Sequence, residues 1–239
     1  MRNLKKWLRW VLVVVLVVVG LALVFNEQLK ELGIGIMSIH AADQKIERVT
    51  PADKKHATFN YSGVEAANIS NMLKAMRSNP SVIGKIAIPS DDIHLPIYYG
   101  VSNYILLKGA GTLSPTQKMG EGNYALASHH MPNNKLLFSA LGKTKLKSKI
   151  YLTDGKRVYI YKTYSKKIVN EDNTSVLNVI PGKKICTLIT CRTWHPGVTQ
   201  RIIVQGKLEK IKKANDNSLA VFDHKSNLPK VFLKMHMGY

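Results

Sequence analysis

Residue types capable of acyl-transfer chemistry stand at the ends of predicted strands in this sequence. Residues 184–191 (KICTLITC) predict a strand that ends on Cys191, and residues 201–204 (RIIV) predict a second strand that begins with Arg201. A thiol at one strand end and an arginine at the start of the next strand can meet at one rim of a sheet. Together with a histidine from residues 127–130 (ASHH), they would form the site of a cysteine enzyme that makes an acyl intermediate.

The two cysteines differ in their predicted surroundings. Cys186 and Cys191 lie five residues apart on one predicted strand, so their side chains point to opposite faces and their Cα atoms are about 16 Å apart. That separation excludes a disulfide within the strand. A free thiol is commonly a buried structural residue, and Cys186 fits that description better. The position of Cys191 at the end of the strand favours a nucleophile.

Three of the eight histidines stand where a strand meets a loop. His129 and His130 follow the strand predicted over residues 123–128, and His195 lies in the loop after Cys191. An imidazole can exchange a proton with a thiol, but the residue pattern alone leaves the choice among these three open. Arg201 has a permanent charge and a fork of donors suited to a peptide carbonyl or an oxyanion. An arginine at a strand entrance is, however, usually a solvated surface charge.

The N-terminal region predicts a membrane anchor. Residues 10–25 form an uninterrupted apolar run with basic residues before it, so residues 10–26 are predicted to span a membrane and residues 1–9 to lie in the cytoplasm. A cleaved secretory signal is the alternative, but no small-x-small cleavage site follows closely. Either interpretation places the rest of the chain outside the cell.

Composition predicts one packed domain with appendages. The 239 residues are 45% hydrophobic and 21% charged, which is ordinary for a globular protein. The formal net charge is +20, of which four positive side chains precede the apolar run, leaving +16 outside. Outside a cell such an excess suits anionic lipid headgroups or acidic wall polymers, or simply a solubilising surface. No recognised nucleic-acid motif is present, and no nucleic-acid partner is expected.

Short strands dominate the sequence after residue 80. Residues 27–80 predict a stalk with a helical start near Glu27–Leu32 and a short amphipathic helix at 68–78 that Asn68 or Ser70 could cap. Residues 150–161 predict a hairpin around Asp-Gly. The other predicted strands cover residues 82–88, 95–99, 123–128, 185–191 and 201–208. Six or more short strands with little helix between them are typical of an antiparallel barrel or sandwich.

The motifs, in this order, resemble those of the sortases. Residues 187–191 (TLITC) match the family's TLxTC signature, and ASHH and RIIV stand where the family has its histidine and arginine. Residues 84–89 (GKIAIP) and 95–100 (LPIYYG) are similar to early strands of class A members, and the single N-terminal anchor also suits class A. The resemblance runs from about Ser81 to Leu208. It implies a mainly β fold, a closed antiparallel or mixed eight-stranded β-barrel with short helices, over residues 81–210, followed by a tail at 211–239.

The resemblance also implies a role for each matching residue. Cys191 would be the nucleophile, and His129, which follows Ala-Ser as the family's histidine does, the general acid and base. Arg201 would stabilise the oxyanion and position the substrate. The positions expected to line the groove for the leucine and proline of an LPXTG sorting signal are Ala127, Thr187 and Ile189. The loop at 170–182 is expected to cover that groove.

The implied reaction is cleavage of the signal between Thr and Gly through a thioester, and transfer of the protein to an amine of a lipid II-like peptidoglycan precursor. No cofactor is expected. No metal is expected either, because only Glu121 precedes the strand before His129, where some relatives have an acidic calcium-binding cluster. The loop at 192–200 is basic, whereas several relatives have acidic residues there. The alternatives are a pilin-type sortase, a cysteine peptidase, and a non-catalytic cationic module that binds the wall or lipid.

Overall fold

The computed structural model describes residues 2–42, 44–61, 64–65 and 67–223. The helices are α1 (Arg2–Val24), α2 (Asn26–Ala42), α3 (Pro51–His56), α4 (Ile69–Arg77), α5 (Asn103–Leu106) and α6 (Asp216–Leu219). The strands are β1 (Gly84–Ile88), β2 (Ile93–Tyr98), β3 (Ala110–Thr112), β4 (Asn123–Ala127), β5 (Lys149–Thr153), β6 (Arg157–Asn170), β7 (Ile185–Cys191) and β8 (Gln200–Lys213). Residues 224–239, most of the predicted tail, lie outside the described residues.

The eight strands close into one barrel, in the order β1-β2-β3-β4-β7-β8-β6-β5. The β2–β3 and β4–β7 pairs are parallel, and the remaining pairs are antiparallel. The predicted mixed eight-stranded barrel is therefore confirmed. A parallel pair needs a long crossover connection, and the chain supplies it between β4 and β7 with the whole β5–β6 hairpin.

The β5–β6 hairpin has the predicted Asp-Gly turn. Gly155 has a φ of +81°, and the Asp154 carboxylate accepts hydrogen bonds from the amides of Lys156 and Arg157 at 2.8 and 2.7 Å. Gly is favoured at such a left-handed position because it has no Cβ. Strand β6 continues past the predicted end of the hairpin at residue 161 to Asn170. Its pairing with β8 has register shifts at Ile160/Tyr161 and at Thr163/Ser165.

Alternation along β7 separates the barrel interior from a second apolar layer outside it. Cys186 and Leu188 belong to the interior core, whereas Ile189 packs in an outer cluster with Ala127, and neither cysteine forms a disulfide. Successive side chains of a strand point to opposite faces, so the two cysteines face opposite sides, as the sequence predicts. The outer layer is covered by the 3₁₀ turn at Thr174–Leu177, whose Val176 is buried.

The N-terminal helices differ in what surrounds them. All side chains of α1 from Lys6 onward are exposed, and Lys6–Val24 is a 19-residue stretch apolar enough to cross a membrane. α2 is longer than the helical start predicted near Glu27, and its Ile34, Met37 and Ala41 are buried among residues of the barrel. These three positions lie on one helical face. The segment predicted as a stalk thus packs on the barrel over this helix.

Helix α4 has a polar cap at each end. The Asn68 side chain accepts a hydrogen bond from the Asn71 amide at 2.8 Å, as one of the two predicted caps. At the other end, the Lys108 ammonium donates to the carbonyls of Ser78 and Ala75 at 2.6 and 3.2 Å. A cation is favoured at a helix C-terminus. The boundaries predicted for the anchor, stalk, barrel and tail stay predictions; β8 itself runs three residues past the predicted barrel end at 210.

Two glycines provide a matched test of this packing. A Cβ at Gly111 in β3 would overlap the carbonyl oxygen of Gly100, whereas a Cβ at Gly35 in α2 would lie at ordinary contact distance, 3.6 Å, from Leu136. We expect Gly111→Ala to destabilise the domain by about 1–3 kcal/mol, as overpacking does. Gly35→Ala should leave stability unchanged or raise it by up to about 1 kcal/mol, because alanine favours helix. Thermal unfolding of the full chain in detergent micelles measures both, and equal losses would contradict this packing.

Candidate active site

The barrel places His129, Cys191 and Arg201 side by side at one rim. Cys191 ends β7 and pairs directly with Arg201 on β8. β4 runs parallel to β7 with Ala127 beside Ile189, and the alignment continues past the strand, where the Ser128 amide donates to the Ile189 carbonyl at 3.2 Å. His129 and Cys191 each lie two residues beyond the Ala127–Ile189 pair, so their side chains share its outer face. All three residues line one pocket.

The Cys191 thiol is partly shielded from solvent. Burial raises its pKa above the usual value, and this effect outweighs the lowering by the Arg201 guanidinium and by the Tyr61 hydroxyl. The Glu171 carboxylate raises the pKa further. With its pKa raised, the resting residue is a neutral thiol. It must lose its proton to react, because only the thiolate is a strong nucleophile. In contrast, Cys186 is fully buried in the barrel interior, where its pKa is raised to about 12.

The three histidines take different positions around the thiol. His129 is 7% exposed, and burial lowers the pKa of its imidazole to about 4, so the ring is neutral at rest. His130 Nδ1 lies 2.9 Å from the carbonyl oxygen of Cys191 and thereby holds the end of β7. His195 packs on the Trp194 ring, with 4.0 Å between ring centroids. All three line the pocket, but His129 alone of the three continues the aligned row of β4 and β7.

Arg201 is oriented by its terminal nitrogens and keeps one donor available. Nη1 donates to the Val198 carbonyl at 2.6 Å, and Nη2 forms a short ion pair with the Glu171 carboxylate. Among the described residues, Nε is buried without a hydrogen-bond partner. Leaving a buried donor unsatisfied is costly, so this N–H is a natural place for a ligand oxygen. The guanidinium also lies over the Tyr61 ring, with Cζ 5.6 Å from the centroid.

Two clefts meet at this row. An apolar cleft runs along the outer barrel face, and its floor and walls include Ile189, Ile203, Val176 and Leu113. A more polar cleft lies on the other side and is lined by His129, Cys191, residues 193–198, and side chains from the start of α2. Tyr61 and Arg201 line both clefts. The arrangement can therefore hold an extended chain on one side of the thiol and a second reactant on the other.

The three predicted groove residues differ in access. Ile189 lines the apolar cleft directly, whereas Ala127 and Thr187 are fully buried. The Thr187 hydroxyl donates to Asn123 Oδ1 at 2.7 Å and accepts from Gln205 Nε2 at 3.1 Å. Asn123 in turn donates to the Val176 carbonyl at 2.9 Å. Thr187 thus supports the loop over the groove, and direct substrate contact by Ala127 and Thr187 stays a prediction.

Sequence reasoning did not find Tyr61 and Glu171 as site residues. Tyr61 lies in the segment predicted as a stalk, 130 positions before Cys191, and Glu171 follows the end of β6, where it contacts Arg201 through the β6–β8 pairing. Neither carries a local motif, so only the fold places them at the thiol. No group of three or more His, Cys, Asp or Glu side chains suited to a metal ion occurs among the residues described. The expected independence from metal stays a prediction.

Comparison with known proteins identifies the family. The sortase domain matches residues 86–209. Sortase A of Streptococcus agalactiae serotype III is 40% identical over 95% of this chain and 98% of that protein. Sortase A of Listeria monocytogenes serovar 1/2a is 34% identical over 86% of this chain and 94% of that protein.

The chain belongs to the sortase family. Its barrel is similar to the crystal structure of Listeria monocytogenes sortase A, with a TM-score of 0.58 and 37% identity over 61% of this chain and 99% of that one. Family membership implies a transpeptidase that anchors surface proteins to the cell wall through an amine nucleophile. The apolar helix Lys6–Val24 fits a membrane-anchored sortase.

The charges beside Cys191 predict how its thiol responds to substitution. Glu171→Gln removes the carboxylate that raises the thiol pKa, so we expect the pKa to fall in that variant. Arg201→Gln removes the guanidinium that lowers the pKa, so we expect it to rise. The pH dependence of alkylation, followed by mass spectrometry of the Cys191 peptide, measures both shifts. Shifts of the same sign in the two variants would contradict this electrostatic arrangement.

Proposed function

We propose that this sortase cleaves an LPXTG-like sorting signal between Thr and Gly and transfers the protein to an amine of a lipid II-like peptidoglycan precursor. The observation that carries the proposal is the aligned row of His129, Cys191 and Arg201 at the junction of two clefts. An acyl transfer between two substrates needs a nucleophile, a proton carrier and an oxyanion donor within reach of both.

The reaction begins with both resting groups neutral. His129 takes the thiol proton of Cys191 as the sulfur attacks the Thr–Gly carbonyl, and Arg201 Nε donates to the oxyanion of the tetrahedral intermediate. The imidazolium then protonates the leaving glycine amine, the C–N bond breaks, and a thioester remains. The incoming amine attacks this thioester, its proton passes to His129, and proton return to the sulfur restores the thiol. Support comes from the low pKa of His129 and the unpartnered Nε of Arg201.

The apolar cleft is the proposed site for the leucine and proline of the signal. Ile189, Ile203 and Val176 give it apolar walls, which suit two apolar side chains. Ala127 and Thr187 are proposed to act at this groove together with Ile189. Thr187 would do so through its hydrogen bonds beneath the loop that covers the cleft, because that loop positions Val176.

The second cleft is the proposed entrance for the amine. Glu27 and Lys30 line it, and both lie in the first turns of α2, directly after the apolar helix ends at Val24. With an α-helical rise of about 1.5 Å per residue, the start of this cleft lies within roughly 10 Å of the end of that helix along the chain. A cleft so close to the bilayer suits an acceptor that is itself linked to lipid.

We propose that the N-terminus lies in the cytoplasm and the barrel outside the cell. Arg2, Lys5, Lys6 and Arg9 precede the apolar stretch, and positive residues are retained on the cytoplasmic side. In this orientation the enzyme is a single-pass membrane protein, and exported proteins and wall precursors reach the catalytic barrel from the same side of the membrane.

Ligation of a peptide to an amine tests the proposal. The full chain in detergent micelles is incubated with an LPETG peptide and an excess of oligoglycine, and products are identified by mass spectrometry. We expect a product joined between Thr and the added amine, and we expect Cys191→Ala to lower its rate by at least about a thousandfold, as loss of a covalent nucleophile does. Cleavage without ligation would indicate a peptidase, and ligation by Cys191→Ala would contradict the assignment.

Three histidine variants are controls in the same assay. His129→Ala should lose nearly all ligation, whereas His195→Ala should retain most of it, because His195 lies outside the aligned row. His130→Ala should have an intermediate effect, because it frees the carbonyl at the end of β7 without removing the proton carrier. Near-full ligation by His129→Ala would move the proton-transfer role to another residue.

A further inference from the structure

Helix α2 determines which end of the barrel lies nearest to the apolar helix α1. Its first turns, with Glu27, line the polar cleft, and its Glu31 carboxylate accepts a hydrogen bond from the Asn133 amide at 2.9 Å. Both contacts lie at the end of the barrel that holds Cys191, here called the Cys191 rim. Because α2 begins two residues after α1 ends, the Cys191 rim is the end of the barrel that adjoins α1.

The other end of α2 lies toward the opposite end of the barrel. α2 has 17 residues and is therefore about 25 Å long at the rise of an α-helix. Shortly after it ends, Ile46 lies against the β5–β6 turn, where a Cβ on Gly155 would be 3.5 Å from its side chain. That turn precedes β6, whereas Arg201 of the Cys191 rim pairs with Val169 near the other end of β6. The end of the barrel with the β5–β6 turn, here called the hairpin end, is therefore the end farther from α1.

The loop between β7 and β8, residues 192–199, belongs to the Cys191 rim and has an exposed aromatic side chain. Trp194 is 40% exposed, and its ring stacks on that of His195 with 4.0 Å between centroids. Gly197 has a φ of +77°, and a Cβ there would meet no atom of the described residues within 4 Å. The loop therefore projects from the rim into open space.

Trp194 and the apolar helix lie on the same side of the barrel. Trp194 and Glu27 line one cleft, so the loop is a neighbour of the first turns of α2. Tryptophan is enriched at membrane–water interfaces, because its ring is apolar and its N–H can still reach a polar partner. Arg192 is exposed in the same loop, and a cation beside the aromatic ring suits lipid phosphate groups.

We propose that the loop at 192–199 docks on the lipid bilayer that α1 spans, with Trp194 at the boundary between headgroups and acyl chains. The proposal rests on the membrane anchor of the proposed function and adds an orientation to it. The Cys191 rim faces the bilayer, and the hairpin end faces away from it. An amine linked to lipid would then meet the thiol at the membrane surface.

Quenching of tryptophan fluorescence by brominated lipid tests the docking. The sequence has three tryptophans, Trp7, Trp10 and Trp194, so the full chain with Trp7→Phe and Trp10→Phe reports on Trp194 alone. It is reconstituted in phosphatidylcholine vesicles whose acyl chains are either unmodified or brominated near the headgroup. We expect the brominated lipid to lower Trp194 emission at least about twofold, because interfacial tryptophans lie at headgroup depth. Equal emission in the two kinds of vesicle would overturn the proposal.

A tryptophan at the hairpin end is the matched control. Lys156 is exposed in the β5–β6 turn, and Lys156→Trp is combined with Trp7→Phe, Trp10→Phe and Trp194→Phe. We expect brominated lipid to leave the emission of this chain unchanged. Equal quenching at positions 156 and 194 would overturn the proposal, because the barrel would then have no preferred side toward the bilayer. If Lys156→Trp fails to fold, Lys183→Trp replaces it, because Lys183 is exposed just before β7 begins, away from the Cys191 rim.

A third chain separates the docking from the anchor. With Trp7→Phe and Trp194→Phe, Trp10 within the apolar stretch is the only tryptophan. Quenching of Trp10 without quenching of Trp194 would leave the anchor standing and overturn the docking. Quenching of Trp194 without quenching of Trp10 would support contact of the loop with lipid and reject the anchor. None of these measurements uses a peptide substrate, so a failure of the proposed transpeptidation is distinguished from both.

Discussion

The site depends on the neighbouring positions of β4, β7 and β8 in a closed barrel. His129, Cys191 and Arg201 are spread over more than seventy residues of chain, and they share a rim because the parallel β4–β7 pair and the antiparallel β7–β8 pair are in fixed register. A slip of one residue would turn Cys191 toward the barrel interior. The chain between the two parallel strands contains the whole β5–β6 hairpin, which belongs to the same barrel. The row of these three residues therefore depends on the whole barrel.

The surroundings of His129 and Cys191 favour a resting state in which the imidazole and the thiol are both neutral. Burial raises the pKa of Cys191 and lowers that of His129, so a thiolate–imidazolium pair is a minor form in the resting protein. The Arg201 guanidinium lowers the pKa of Cys191, whereas the Glu171 carboxylate, which forms an ion pair with Arg201, raises it. A solvent-exposed thiolate is susceptible to oxidation. A partly shielded neutral thiol limits that oxidation.

Local patterns predicted those parts of the fold that local interactions determine. The Asp-Gly hairpin, strand β7 and the Asn68 cap follow from turn chemistry, alternation and capping, and the structure has all three. β3 was not predicted because three residues, Ala-Gly-Thr, carry no strand pattern and gain their pairing from β2 and β4. The glycines of α2 weaken its helical signal, and its burial against the barrel compensates for them.

The candidate site was predictable to a similar extent. Cys191, Arg201 and His129 could be singled out because the first two stand at strand boundaries, and the resemblance to the sortases chose among the histidines. The period of a strand also gave the correct face for Ile189. Period alone does not say what covers a face, so the burial of Thr187 beneath the 174–177 turn was not foreseen. Tyr61 and Glu171 reach the thiol only through tertiary contacts, for which the sequence has no short-range pattern.

The most direct measurement is the mass of the enzyme during the reaction. The full chain in detergent micelles is mixed with an LPETG peptide in the absence of any added amine, quenched in acid, and mapped by mass spectrometry. The account predicts a peptidyl adduct on the fragment that contains Cys191, removed by hydroxylamine as a thioester should be. Cleavage of the peptide with no adduct on Cys191 at any time, or an adduct on another residue, would contradict the account.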